Sequence, residues 1–139
     1  MIIEHLDITP QGIRPDLIGR SRRETDAMLG EGQASRQGLL RGEHDIIYPA
    51  AHARAAFRNG HTVEISFVPP APILFRLQRL FDHPQLWRDI AAMDLSARES
   101  LGFLVLPTLG ITLTGFHDDD VSQLALTVFE HGRWDDRDV

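Results

Sequence analysis

The sequence predicts an α+β domain of two αβββ-like units, with antiparallel sheets and short helices packed on one face. Three observations predict it. A helix-start signal, Ser21-Arg22-Arg23-Glu24, precedes a series of strand patterns. Asn59-Gly60, a strong hairpin signal, joins two of those patterns. The second half then repeats the plan: helix starts at 21 and 84 lie 63 residues apart, and last strands starting at 61 and 123 lie 62 apart. Recurrence at a fixed interval is the mark of a duplicated unit; coincidence between two generic antiparallel layouts is the alternative. The 139 residues are long enough for one buried core, so a single compact domain, 1–139, is expected, built from pseudo-repeats 1–69 and 73–139.

Each element has a local reason. Met1 to Ile8 reads as a strand or ordered arm, and Pro10, Gly12 and Pro15 punctuate a loop after it. Ser21 and Glu24 form a capping box, each side chain reaching the other's amide, and Gly30 stops a helix of about 21–29. Gly32, Gly38 and Gly42 among polar residues predict a mobile loop over 31–43. His44–Tyr48 and His52–Phe57 are short strand-like runs broken by Pro49. In 61–67, Val63, Ile65 and Phe67 share one face and Thr62, Glu64 and Ser66 the other, which is a half-buried strand. Pro69, Pro70 and Pro72 form the linker. Residues 73–80 fit helix or strand equally. Asp82-His83-Pro84 starts a helix of about 84–93, with Leu86, Trp87, Ile90 and Met93 on its apolar face. Leu101–Leu106, Ile111–Phe116 and Gln123–Phe129 read as strands, joined by turns at 107–110 and 117–120.

Composition excludes several chemistries. The chain has no Cys, which removes disulfides, thiolate catalysis and Cys-ligated zinc. All 14 basic residues are Arg, so a Schiff-base lysine, a P-loop lysine and a Ser-Lys dyad are impossible. The net charge is −6, carried mostly by residues 70–139, where 6 Arg face 11 acids; residues 1–69 hold 8 Arg and 9 acids. Such acidity disfavours nucleic acids and anionic membranes as partners. It favours solubility or a basic partner. No apolar run approaches the ~18–20 residues of a membrane span. The opening Met1-Ile2-Ile3-Glu4-His5 lacks the pattern of a secretory signal, so a cytoplasmic location is expected.

No motif assigns a catalytic, cofactor-binding or metal-ligating residue. The His residues at 5, 44, 52, 61, 83, 117 and 131 form no HExxH. His117-Asp118-Asp119-Asp120 is oxygen-rich enough for a weak divalent-cation site, but lacks the loop spacing of an EF-hand and reads first as a solvated turn. Ser21, Ser35, Ser66, Ser96, Ser100 and Ser122 sit in no Gly-x-Ser-x-Gly elbow. The glycines at 30, 32, 38 and 42 follow a helix, the wrong order for dinucleotide binding. Arg20, Arg22 and Arg23 form a basic cluster at a helix start. The C-terminal run His131-Gly132-Arg133-Trp134-Asp135-Asp136 mixes an aromatic anchor with charge. Trp and Arg dominate interface hot spots, and a terminal Trp also packs back onto a sheet as a plug.

Two stretches carry a resemblance. Gly19, Ser21, Glu24 and Leu29-Gly30 resemble the "G-x-S-x-x-E-x-x-x-x-LG" helix that opens small αββ(β) modules, which occur in tandem in proteins of the beta-lactamase-inhibitor type of fold. Ser100–Val105, Gly110-Ile111 and Thr127–Asp135 are similar to the C-terminal strands of small acidic immunity proteins found beside bacterial toxin systems. The resemblance implies a bacterial, non-enzymatic binding protein that neutralises a cognate toxin or effector by occlusion. A basic target suits the acidic surface. The expected contact region is Asp118, Asp119 and Asp120, with Trp134, Asp135 and Asp136. The alternatives are a metal-assisted hydrolase using the His117–Asp120 turn and a structural module that assembles as a homo-oligomer.

Overall fold

An eight-stranded antiparallel sheet, backed on one face by a smaller sheet and two short helices, organises the computed structural model, which describes residues 2–38 and 40–135. The chain opens with β1 (Leu6–Thr9) and β2 (Gly12–Arg14), followed by α1 (Arg22–Leu29). A first meander comprises β3 (Gln33–Gln37), β4 (Glu43–Tyr48), β5 (Ala53–Arg58) and β6 (His61–Phe67). Then come β7 (Ile73–Phe75), β8 (Gln78–Arg79) and α2 (Trp87–Ala91). A second meander comprises β9 (Arg98–Ser100), β10 (Phe103–Leu106), β11 (Ile111–Thr114) and β12 (Ala125–Phe129).

The large sheet runs β3-β4-β5-β6-β12-β11-β10-β9, so the two meanders meet at their last strands. The small sheet runs β2-β1-β7-β8, and its β1–β7 pair is parallel. Each meander has four strands, one more than the αβββ expectation. The extra strand of the first, β3, comes from the segment read as a mobile loop. Gly38 there serves close approach: a Cβ on it would lie 3.1 Å from the Glu43 carbonyl carbon and 3.2 Å from Asp45 Oδ1. The extra strand of the second, β9, turns into β10 through Leu101 and Gly102, both at positive φ.

Side chains sort by strand period. Ile46, Tyr48, Ala55, Phe57, Ile65 and Phe67 from the first meander join Leu104, Leu106, Ile111, Leu113, Leu126 and Val128 from the second in one core. Leu6, Ile8, Ile73 and Phe75 of the small sheet, Leu29 of α1 and Ile90 of α2 close that core from the opposite side. Fully burying one of the Leu, Ile, Val or Phe side chains among them is worth roughly 1.5–3 kcal/mol. The second helix is shorter than expected, because a 3₁₀ turn covers Pro84–Leu86 and α2 ends at Ala91. Just beyond it the Asp94 carboxylate accepts from the amides of Ser96, Thr108 and Leu109. Residues 73–80 resolve as β7 and β8, with the following 3₁₀ turn beginning at Leu80. Among the described residues no helix is long and apolar enough to cross a membrane.

Candidate functional site

Two regions carry concentrated charge: the turn between β11 and β12, and the outer face of the large sheet. They differ in how that charge is compensated.

The β11–β12 connection is pinned at both ends. Phe116 is buried and stacks on Phe81 with ring centroids 6.1 Å apart, and Leu124 is buried in the core. Gly115 has φ +83°, and a Cβ there would lie 2.5 Å from the Asp120 carbonyl oxygen, so the loop folds tightly back on itself. Asp119 N donates to Phe116 O at 3.3 Å, Gln123 N to Asp120 O at 2.9 Å and Ser122 Oγ to Asp120 Oδ1 at 2.6 Å. His117 points inward, with Nε2 3.4 Å from Glu99 Oε1 and its ring edge-on to Trp87. Asp118, Asp119 and Asp120 are exposed. Among the described residues, no Arg or His nitrogen lies within 4.0 Å of their carboxylates. Val121, 71% exposed, follows directly. No group of three or more His, Asp or Glu side chains among the described residues converges so as to hold a metal ion, the His117–Asp120 turn included.

On the outer sheet face, four arginines meet four carboxylates. Arg133 makes a two-pronged contact with Glu43 at 2.7 and 2.8 Å, and its Nε donates to Glu64 at 3.0 Å. Arg58 bonds Glu130 at 2.7 Å and lies 3.5 Å from Glu43. Arg54 bonds Asp45 at 3.1 Å, with Arg36 3.7 Å from the same oxygen. Burial alone would lower the Arg133 pKa, but its bonds to Glu43 and Glu64 outweigh that and hold it above the ordinary value. Forked Arg–carboxylate contacts are the strong class of ion pair. Beside this network lies a small apolar cluster of Val105, Phe129 and Trp134, with Phe103 packed against it.

Of the residues the sequence singled out, Asp118, Asp119 and Asp120 share one exposed turn. Trp134 is only 5% exposed, its ring against Phe103 at 5.0 Å and Phe129 at 6.1 Å, so it packs onto the sheet. Asp135 is exposed on the turn after β12, and Asp136 lies outside the described residues. Sequence reading did not find the Arg54, Arg58, Arg133, Glu43, Asp45 and Glu64 network. A signal was present: Arg54 and Arg58, Glu43 and Asp45, and Glu64 and Ser66 recur at strand spacing on adjoining strands. Only the pairing registers reveal that they share a face.

Compared with known proteins, the chain matches no family model, no curated protein and no solved structure.

Proposed function

We propose that the chain is a non-enzymatic binding protein that presents its acidic turn to a basic macromolecular partner and blocks it by occlusion, as an immunity protein blocks a toxin. One observation carries this reading: the outer-face acids are matched by arginines, whereas Asp118, Asp119 and Asp120 are exposed and unmatched. Fixed negative charge with no internal counter-ion is available to steer a basic partner and raise its association rate. The tight fold around Gly115 and the Phe116–Phe81 stack hold that charge in place before contact, so little ordering is needed on binding. Asp135 belongs to the same reading as a further exposed carboxylate, with the buried Trp134 ring fixing its turn. The partner class is a bacterial toxin or effector met in the cytoplasm. The mirrored strand order about β6 and β12 supports reading the chain as two copies of one helix-plus-meander unit.

The test is affinity capture from source-cell lysate at low and high salt, followed by association kinetics with the captured protein. A basic protein held at low salt and released at high salt is expected. Replacing Asp118, Asp119 and Asp120 together by Asn should slow association about tenfold and leave the melting temperature unchanged. An unchanged association rate overturns the acidic turn as the contact. Turnover of a small compound by the pure protein overturns the non-enzymatic reading.

A further inference from the structure

The outer face of the large sheet holds a cleft of about 370 Å³, lined by the apolar Leu40, Leu101, Phe103 and Trp134 and by the polar Arg54, Glu64, Ser66 and Thr127. We propose that this cleft binds a small neutral amide with an aromatic or aliphatic body. The proposal is independent of the acidic turn and of any protein partner.

The volume lies within the roughly 300–1,000 Å³ of small-molecule sites, and the division into an apolar wall and a few polar groups is their usual anatomy. The wall is partly exposed: Leu101 is 66% exposed and lies two residues from Phe103, whose ring packs on Trp134. The polar side follows from strand register, since Arg54 pairs with Ser66 and Ser66 with Thr127 across adjacent strands.

Hydrogen-bond accounting on that polar side specifies the ligand. Ser66 Oγ and Thr127 Oγ1 are 2.9 Å apart, and Ser66 Oγ also accepts from Arg54 Nη2 at 3.4 Å. Each hydroxyl carries one proton, and only one of the two can be spent within the pair. The other hydroxyl proton has no acceptor among the described residues, whichever way the pair is oriented. It is a donor for a ligand oxygen, next to the Arg54 guanidinium. Glu64 supplies the complement. Its Oε1 accepts from Arg133 Nε, while its Oε2 accepts no hydrogen bond among the described residues and lies 3.8 Å from Arg54 Nη2. A donor and an acceptor lining one cleft match the C=O and N–H of an amide.

Charge selects the neutral form. Arg54 is compensated by Asp45 Oδ2 at 3.1 Å and faces Glu64. A ligand carboxylate would meet the Glu64 carboxylate with no uncompensated cation to offset it, and a ligand ammonium would meet Arg54. Either charged form would also lose its hydration for no net partner.

The experiment is a ¹H–¹⁵N NMR titration of the full chain with phenylacetamide, phenylacetate and phenethylammonium. Phenylacetamide should shift the Trp134 indole and Ser66 amide signals saturably, with a Kd on the order of millimolar for a ligand of about ten heavy atoms. The two charged analogues should bind about tenfold more weakly or not at all. Ser66→Ala should weaken the amide about 3–10-fold. Leu101→Asn is a second variant, at an exposed position whose φ of 55° suits Asn; it removes part of the apolar wall and should weaken binding with the rest of the spectrum intact. Equal or tighter binding of phenylacetate or phenethylammonium overturns the neutral-amide assignment. A Trp134 indole signal that none of the three compounds moves overturns the site. Neither failure bears on Asp118–Asp120, whose signals and charge are elsewhere.

Discussion

Single side chains set the local boundaries of the structure, and two of them make its stability depend on pH. Ser21 Oγ accepts from the Glu24 amide at 3.1 Å while the Glu24 carboxylate accepts from the Ser21 amide at 3.0 Å. That backbone contact, with the Ser21 side chain, holds the Glu24 carboxyl below its ordinary value of 4.5. The sign follows: the stabilisation is present above that value and is lost as pH falls through the lower folded value. Ser21→Ala should cost about 1 kcal/mol in urea unfolding at neutral pH, and the cost should shrink in acid. Tyr48 works at the other end of the scale. Its burial, and then its 2.7 Å bond to Asp26, push the phenol above its ordinary 10.0. Here the folded state keeps a proton that the unfolded chain releases, so stability is lost as pH rises above that value. Tyr48→Phe should flatten the alkaline limb of a melting-temperature profile. An unaltered limb would show that another group titrates there.

Among elements, the strands of the first meander are joined on their outer face by charge as well as by backbone bonds. Arg133 follows β12 in the chain, yet it clamps Glu43 of β4 and Glu64 of β6. Its side chain is 4% exposed and that of Glu43 only 2%. Removing one partner of such a pair strands the other charge in a dry site, which costs more than the intact pair contributes. Arg133→Met is therefore expected to destabilise the protein by about 3–5 kcal/mol in denaturant unfolding. Replacing Arg133, Glu43 and Glu64 together by apolar residues of similar volume should recover most of that loss. A single substitution that proves neutral would show that water reaches Glu43. The acidic turn behaves oppositely, because its carboxylates hold no element to another; their replacement by Asn is expected to alter association and not folding.

At the scale of the whole molecule, neither half of the chain owns its core. β1 of the first half pairs with β7 of the second, β6 pairs with β12, and one apolar cluster draws residues from both halves. Fragments 1–69 and 73–139 should each be unfolded alone by circular dichroism and should regain strand signal when mixed. A cooperative melt from either fragment by itself would show that each half folds independently. Local signals made the α+β character, the capped first helix, the Asn59-Gly60 hairpin and the strand over 61–67 legible, because neighbours in sequence decide them. The extra strands were hidden for a related reason. β3 is polar, the glycines flanking it read as loop, and only its pairing with β4 makes it a strand. β9 is three residues long and is likewise defined by its pairing with β10.

By itself, the sequence determined that cysteine and lysine chemistry is absent, that acid is in excess in the second half, and which elements have strong local punctuation. Composition and short-range spacing are complete on the page of residues. Tertiary structure alone decided which charges are spent inside the protein and which remain outside. Arg133 neutralises Glu43 from 90 positions away, and Ser66 meets Thr127 across 61. The register of one strand against another brings such groups together, and register is fixed by how the whole set of apolar faces closes on a common core.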